Sequence, residues 1–135
     1  MPYKGRGPRD WKPGMKPDIV KGDPGEEFFL SFPPIKIKKK KDLPKHPDLK
    51  VNAELAIERK DPVELYTIYL YENERPIRKF IGELLWFPTM RRGGVASLET
   101  WREGIEEAEW TDAASELEVL ERWVEGEMEV DMSHD

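Results

Sequence analysis

The chain has 135 residues, of which 37% are charged, and its formal net charge is −6. It contains no cysteine and only two histidines, His46 and His134, so disulfides and thiolate metal sites are excluded and we expect no metal or other cofactor. The longest apolar runs, such as LLWF, are too short to span a membrane, and the basic N-terminus lacks the apolar stretch of a secretory signal. We therefore expect a cytoplasmic protein with one domain of ordinary size.

Basic and acidic residues are concentrated at opposite ends of the sequence. Residues 1–45 carry twelve Lys or Arg and six acidic residues, whereas residues 101–135 carry two and thirteen. The segment between them is nearly neutral, with eight basic and nine acidic residues. Such segregation indicates that the two ends meet different partners, although two solvated ends that keep the protein soluble would also explain it.

Residues 1–26 are predicted to form an extended basic arm. Residues 1–25 contain five prolines and five glycines, which disfavour both a helix and a central strand. Tyr3 and Trp11 stand among Lys and Arg residues, a pattern that suits stacking on unpaired bases and neutralisation of phosphates. The same pattern would equally suit an arm that folds back on its own domain and is anchored there by Trp11.

A single α+β domain is predicted for residues 27–126, and it begins with two short strands. EFFLSF at 27–32 has the composition of a strand and is followed by two prolines, which stop it or confine it to an edge. IKIKKKK at 35–41 alternates apolar and basic residues, which places Lys36 and Lys38 on the outward face. A lysine-rich edge would also block unwanted strand pairing.

Three longer strands are predicted next, joined by short turns. VNAELAIE at 51–58 alternates apolar and polar residues and would present one buried face. VELYTIYLY at 63–71 is partly apolar on both faces, as expected of a central strand. IRKFIGELLWF at 77–87 contains Gly82, which suggests a bulge or bend. Short connections between successive strands predict an antiparallel β-meander of four to five strands.

Two C-terminal helices are predicted to follow the sheet. MRRGG at 90–94 is a cationic glycine turn, and Ser97 after it is a credible N-cap. The first helix has one apolar stripe, formed by Leu98, Trp101, Ile105 and Ala108. The second helix covers about 112–125 and ends at Gly126. Residues 127–135 are predicted to be an acidic tail.

The order of sheet, basic glycine turn and SLETW resembles the transcriptional coactivator family of single-stranded-DNA-binding domains (the positive cofactor four type), which is also known from phages. The matching stretch runs from Arg91 to Trp101, within a similarity that covers about residues 50–108. The resemblance implies a domain that binds single-stranded nucleic acid and whose helix packs in a dimer. In two respects the chain departs from that family: its core is nearly neutral rather than basic, and its last strand is longer.

Non-enzymatic binding of single-stranded nucleic acid, as by a phage or transcription-associated factor, is the function that these features predict. Cations at the rim of the sheet would contact phosphates; they are Lys36, Lys38, Arg78, Lys79, Arg91 and Arg92. The backbone amides of Gly93 and Gly94 could approach an anion closely, because no Cβ intervenes. Rings that could stack on bases, at roughly 1–3 kcal/mol each, are Tyr66, Tyr69, Tyr71 and Trp86. Ordinary core packing would explain the same tyrosines.

A protein-binding regulator, for example an inhibitor of a polymerase or nuclease, is the alternative. Its acidic helices would imitate phosphate and would be anchored by an exposed Trp110 or Trp123. The residues chosen for this surface are Glu106, Glu109, Trp110, Glu116 and Trp123. A transcription or replication protein and a second copy of the chain are thus open as partners, whereas a membrane is not expected. We expect no enzyme, because the carboxylate pairs lie on exposed helix without an apolar pocket to raise a pKa.

Overall fold

Two α-helices lie on opposite faces of an antiparallel sheet in the computed structural model of the chain. The structure describes residues 19–22, 24–31, 33–72, 75–98 and 107–130, with the backbone alone for 72, 75–79 and 130. The predicted α+β class and the antiparallel sheet are confirmed. The number of strands and the order of the helices differ from the prediction.

The described part of the chain contains eight strands and two α-helices. The strands are β1 (Val20–Lys21), β2 (Glu26–Leu30), β3 (Ile35–Lys36), β4 (Glu64–Glu72), β5 (Arg75–Phe87), β6 (Arg92–Ser97), β7 (Glu109–Asp112) and β8 (Glu129–Val130). The helices are α1 (Pro47–Arg59) and α2 (Glu116–Val124), and a 3-10 turn occupies Lys40–Asp42. The strand order is β1–β2–β4–β5–β6–β7–β8, and β3 pairs with the start of β4.

The long antiparallel pair of β4 and β5 forms the centre of the sheet, at the positions predicted for the second and third long strands. Ile68 of β4 pairs with Gly82 of β5, but the next residue, Tyr69, pairs with Phe80. Ile81 is therefore an extra residue in β5 and forms a bulge, so the irregularity predicted at Gly82 is confirmed. A Cβ at Gly82 would lie 2.7 Å from the Ala96 carbonyl oxygen of β6, which explains why a glycine is required there.

Two apolar cores, one on each face of the sheet, hold the helices. The core under α2 contains Ile68, Leu84, Trp86, Val95, Val119 and Leu120. The core under α1 contains Leu49, Ala53, Leu65, Leu85, Phe87 and Trp110. Successive residues of β5 point to opposite cores, and burial of each Leu or Phe contributes about 1.5–3 kcal/mol. We call the two sides of the sheet the α1 face and the α2 face.

The prediction of a strand at 51–58 is wrong, because this segment belongs to helix α1. Its alternation of apolar and polar residues is real, but Val51 and Leu55 are 52% and 40% exposed. The buried residues of the helix are instead spaced by three or four positions, starting before the predicted strand: Leu49, Ala53 and Ala56. One helix therefore lies between strands of the sheet, and the predicted order of sheet followed by two helices is also wrong.

The N-terminus of α1 has a capping residue that the sequence did not reveal. His46 Nδ1 accepts the Asp48 amide hydrogen at 3.2 Å, and Pro47 occupies the first helical turn, where it displaces no hydrogen bond. These local interactions favour a helix over the strand that alternation predicted.

The second predicted C-terminal helix is confirmed as α2, although it begins at Glu116 rather than near residue 112. Ser115 Oγ accepts the Glu118 amide hydrogen at 3.2 Å and caps it, and Gly126, with φ of 75°, follows its end. Strand β7 occupies the place of the predicted break between the helices. Ser97, predicted as an N-cap, is the last residue of β6, and most of the helix predicted after it, 99–106, lies outside the described residues.

The sheet extends into the predicted N-terminal arm and into the predicted acidic tail. β1 lies within the predicted arm, whose residues 1–18 are outside the described part of the chain. β8 lies within the predicted acidic tail and pairs with β7, and Met128 before it is buried. The lysine run contributes only the two residues of β3 to the sheet and continues into the 3-10 turn.

Gly93 and Gly94 are not in a turn, so the anion-binding role predicted for their amides is wrong. Both are buried in β6, where they pair with β5 on one side and β7 on the other. A Cβ on Gly94 would lie 2.5 Å from two ring carbons of Trp110, and a Cβ on Gly93 would lie 2.8 Å from a methyl group of Val119. These glycines leave room for side chains that pack directly on the sheet.

We expect Gly94→Ala to lower the free energy of unfolding by about 1–3 kcal/mol, because the new methyl group overpacks the site under Trp110. Chemical denaturation measures this change. Trp110→Phe is the second variant of a double-mutant cycle. Trp110 Nε1 is buried without an acceptor in the described residues, so removing the indole nitrogen leaves no described group without a hydrogen-bond partner. The double variant should be more stable than the sum of the single effects predicts, and additive effects would contradict the assigned contact.

Candidate nucleic-acid interface

Lysine side chains surround a groove between β3, the end of α1 and the start of β4. The groove has a volume of about 400 Å³, and Lys36, Lys38 and Lys60 contribute cations to it. Ile37 and Ile57 supply apolar surface to the same groove. All three lysines are exposed, as are Lys39, Lys40 and Lys41, which follow along the chain. This basic groove places ammonium groups beside apolar surface, a combination that suits a partner with phosphates and unpaired bases.

The lysines of this region are not neutralised by neighbouring carboxylates. Residues 36–60 contain nine Lys or Arg and four acidic residues. None of the lysines named above forms an ion pair in the part of the chain that the structure describes, where Arg122 and Glu118 of α2 form a pair at 3.3 Å. Asp61 and Glu64 do line the groove, but the Glu64 carboxylate accepts a hydrogen bond from the Tyr66 hydroxyl at 3.1 Å. The groove therefore keeps a net positive charge.

Lys60 and Arg91 have left-handed backbone conformations, with φ of 61° and 52°. Among described residues other than glycine, these two alone have a positive φ. Lys60 caps the end of α1, and its amide donates to the Ala56 and Ile57 carbonyls. The left-handed conformation costs a residue with a Cβ roughly 1–2 kcal/mol, which glycine avoids. Each position therefore holds a cation where the backbone alone favours glycine.

The two strained cations lie at the same end of the sheet. Lys36 pairs with Glu64, Glu64 with Trp86, and Phe87 beside it with Arg92. Three strand spacings separate β3 from β6, so Lys36 and Arg92 lie about 14 Å apart along the sheet. Lys60 precedes β4 and Arg91 precedes β6, so both loops project from this end. We call Lys36, Lys38, Lys60, Arg91 and Arg92 the cationic end of the sheet.

The Arg92 side chain packs against the Trp110 ring at the cationic end of the sheet. Its guanidinium lies 5.6 Å from the centre of the Trp110 ring, an arrangement typical of a cation–π contact. Asp112 lies opposite it on β7, yet the structure shows no ion pair between the two. Arg91 and Arg92 are both exposed, as the predicted role in phosphate binding requires.

A buried carboxylate fixes the lysine-rich loop to the sheet. Glu83 of β5 is only 5% exposed, and its carboxylate accepts the amide hydrogens of Lys45 at 2.9 Å and His46 at 3.1 Å. Burial raises the pKa of Glu83, and the two backbone donors oppose this shift only in part. A second buried carboxylate, Asp48, accepts the Ala108 amide hydrogen at 2.9 Å. These contacts set where α1 starts and thus where its far end presents Lys60.

Two of the rings predicted to stack on bases are buried, and that role is wrong for them. Tyr66 and Trp86 are 2% and 6% exposed and belong to the core under α2. The Tyr66 hydroxyl donates to Glu64 or to Glu116, at 3.1 and 3.0 Å, and burial together with these carboxylates raises the pKa of Tyr66 well above its ordinary value. The core-packing interpretation of this tyrosine is therefore correct.

Tyr69 and Tyr71 are half-buried in an aromatic cluster on the α1 face. Tyr69 stacks on Phe29 with ring centres 5.5 Å apart, and Tyr71 lies 4.9 Å from the same ring. Phe80 is 48% exposed and lies 5.8 Å from Tyr69. The predicted phosphate ligands Arg78 and Lys79 are in β5 beside this cluster, but their side chains lie outside the described part of the structure.

The residues chosen for a protein-binding surface do not form one exposed patch. Trp110 is 7% exposed and belongs to the core under α1, so its predicted role as an exposed anchor is wrong. Trp123 is half-buried, packs edge-on against Phe28 and donates its indole hydrogen to Glu109 at 2.7 Å. Burial raises the pKa of Glu109, and this hydrogen bond opposes the shift. Glu116 is turned toward Tyr66, and Glu106 lies outside the described residues.

Lys60 and Glu83 are the candidate functional residues that the sequence did not reveal. Lys60 belongs to KDP, which was interpreted only as a turn between strands, and the helix that ends there was missed. A lysine followed by Asp-Pro is nevertheless a signal for the end of a helix. Glu83 is the one acidic residue in an apolar strand segment, and that isolation could have marked it as a buried polar anchor.

The chain matches no protein-family model, no curated protein and no solved structure. Within the described residues, no helix is long and apolar enough to cross a membrane. The same residues contain no group of three or more His, Asp or Glu side chains that could hold a metal ion.

We expect the unfolding free energy of Glu83→Gln to rise relative to wild type as the pH increases. A carboxyl whose pKa is raised by folding contributes stability below its unfolded pKa and loses that contribution as the pH rises through the folded value. Glutamine does not titrate, so the difference in unfolding free energy should shift in favour of the variant between pH 4 and pH 8. Denaturant titrations across this range measure it, with exposed Glu121→Gln as the control. Parallel wild-type and Glu83→Gln profiles would contradict the shift.

Proposed function

We propose that this chain is a non-enzymatic protein that binds single-stranded nucleic acid through the cationic end of the sheet. The observation that carries the proposal is the pair of left-handed cations, Lys60 and Arg91, at one end of one sheet. Selection for stability alone favours glycine at both positions. Their long cationic side chains point to a ligand that repays the backbone strain, as is common at binding sites.

The shape and chemistry of the basic groove favour an unpaired strand over a duplex. Lysines at its rim neutralise phosphates, while the half-buried Ile57 and the 50% exposed Ile35 beside the groove offer apolar contact to bases. A duplex keeps the faces of its bases stacked inside and presents phosphates, sugars and base edges, so the apolar side chains would have no base face to contact. Because Tyr66 and Trp86 are buried, the strand follows the end of the sheet rather than lying across its face.

The resemblance to the coactivator family is compatible with this proposal but adds little to it. Gly93, Gly94 and Val95 of the matching stretch are buried in β6, which leaves Arg91 and Arg92 to face a ligand. A role in phage biology or in transcription rests on that resemblance alone.

A protein-binding regulator remains the second candidate, because one observation favours it. Exposed carboxylates are spread over α2 and the strands beside it: Asp112, Glu121, Glu125, Glu127 and Glu129. A basic protein would bind this surface, whereas nucleic acid would be repelled by it. If no single-stranded oligonucleotide binds at low salt, this second function becomes the preferred one.

Lys60→Gly and Arg91→Gly should weaken the binding of single-stranded nucleic acid without destabilising the fold. Glycine relieves strain of roughly 1–2 kcal/mol but loses up to about 1 kcal/mol more chain entropy on folding, so stability should be unchanged or slightly higher. Each variant should bind a labelled oligothymidine several-fold less tightly in fluorescence anisotropy. The slope of log K against log salt should fall by about 0.7 for each phosphate contact that is lost.

Lys21→Ala is the matched control, because it removes one exposed cation on β1, distant from the cationic end. It should leave affinity and salt slope close to those of wild type, and a matched duplex should bind more weakly than the single strand. Wild-type affinity in both glycine variants would refute the proposed site, even if the protein bound nucleic acid elsewhere.

A further inference from the structure

A lysine-rich segment leads away from the cationic end of the sheet. Residues 36–45 contain six lysines and one acidic residue, Asp42. Lys36 and Lys38 belong to the cationic end, and four more lysines follow, which we call the lysine track: Lys39, Lys40, Lys41 and Lys45. All four are exposed, and none of them forms an ion pair in the described part of the chain. The positive surface therefore extends beyond the basic groove.

Apolar contacts and hydrogen bonds hold this segment against the α1 side of the fold. Ile37 is buried and Leu43 packs on the core under α1, while the Ile37 amide donates to the Val63 carbonyl at 3.0 Å. At the far end of the segment, the Lys45 amide donates to the buried carboxylate of Glu83 at 2.9 Å. Because the backbone is held at both ends, the exposed lysines keep defined positions along it.

The lysine track ends beside an exposed aromatic ring. Lys45 Nζ lies 5.9 Å from the centre of the Phe80 ring, within the range of a cation–π contact. Phe80 is 48% exposed and is the most exposed aromatic side chain in the described part of the chain. Its ring lies 5.8 Å from that of Tyr69, which in turn stacks on the buried Phe29. The Phe80 ring is thus supported by the aromatic cluster while about half of its surface stays in water.

The track covers the distance between the cationic end and this ring. Glu64 of β4 pairs with Lys36 and Trp86 at the cationic end, and Tyr69 of the same strand pairs with Phe80. Five residues of strand separate the two positions, which corresponds to about 17 Å. At the spacing of about 3.4 Å in a stacked strand, about five nucleotides cover this distance, and an extended strand needs fewer. One short strand can therefore reach both places.

We infer that the bound strand continues from the cationic end along the lysine track and stacks one base on Phe80. This inference rests on the proposed function, since it extends the same binding path. The strand lies on the lysine-rich segment, because that segment and α1 cover this side of the sheet. At the end of the track, a base replaces the Lys45 ammonium on the ring, and the ammonium pairs with the adjoining phosphate. Phe80 thereby supplies the stacking ring that the buried Tyr66 and Trp86 cannot offer.

Fluorescence anisotropy with two labelled strands of about twelve nucleotides, a length within the usual site sizes of single-strand-binding domains, tests the stacking contact. One strand is oligothymidine, and the other has the same phosphates but abasic sugars. Phe80→Leu should weaken the binding of oligothymidine about tenfold, as expected for the loss of one stacked base, and leave binding of the abasic strand unchanged. Phe80→Trp keeps a ring and should bind at least as tightly as wild type. Val51→Ala, which truncates a 52% exposed side chain of α1, is the control and should change neither affinity.

Salt dependence tests the lysine track separately. Lys39→Ala with Lys41→Ala should lower the slope of log K against log salt by up to about 1.4, because each phosphate contact on a single strand contributes about 0.7. Phe80→Leu removes no cation and should leave the slope unchanged. Lys21→Ala, on β1, is again the control and should keep the wild-type slope. An unchanged slope in the double lysine variant would exclude the track from the binding path.

Two results would overturn the stacking contact while leaving the proposed function intact. Phe80→Leu would bind oligothymidine as tightly as wild type, or it would lose affinity for the thymidine and abasic strands equally. Lys60→Gly and Arg91→Gly would still weaken binding in both cases, because the cationic end does not depend on Phe80. A wild-type protein that binds neither strand at low salt would instead refute the proposed function, and this inference with it.

Discussion

The α1 side of the molecule depends on the buried carboxylate of Glu83. A carboxylate at 5% exposure is costly unless donors satisfy it, and the amides of Lys45 and His46 do so in the turn just before α1. The position of that turn fixes the start of α1, and Asp48 then ties the first turn of the helix to Ala108. Through α1, these hydrogen bonds determine where Lys60 emerges and how the lysines of the basic groove face one another. An apolar residue in place of Glu83 would leave the buried His46 amide and the partly buried Lys45 amide without this acceptor, and the turn before α1 without its anchor on the sheet.

Sequence patterns predicted those parts of the fold in which local signals agree with tertiary packing. β4 and β5 were predictable because both of their faces are apolar or β-branched, and the irregularity at Gly82 was predictable because only glycine tolerates the Ala96 carbonyl so close. α1 was not predicted, because VNAELAIE satisfies a two-residue period, while the decisive contacts lie elsewhere. Its capping residue is a histidine rather than the usual Ser, Thr or Asp, and its first turn is held by a residue sixty positions away. A contact between residues so far apart in sequence does not affect the hydrophobic periodicity of either segment.

The candidate site was predictable in its charges but not in its geometry. Lys36, Lys38, Arg91 and Arg92 were visible as cations, and the structure places them at one end of the sheet. Whether a ring such as Tyr66 or Trp86 is available to a ligand depends on which face α2 covers, which no single strand pattern determines. The left-handed backbone of Lys60 and Arg91 is likewise a property of the folded chain. The left-handed conformation is more informative than the charge alone. Most exposed cations do not strain the backbone, whereas Lys60 and Arg91 occupy a conformation that costs free energy.

The proposed function depends on how the fold distributes charge. The carboxylates of α2 and the lysines of the basic groove are held apart, because α2 and α1 pack on opposite faces of the sheet. On the β6 side of the cationic end, Asp112, Glu127 and Glu129 line the same cleft as Arg92, so carboxylates lie close to this cation. On the β3 side, Lys36, Lys38 and Lys60 form no ion pair in the described part of the chain, and a polyanion would supply the negative partner that the fold does not.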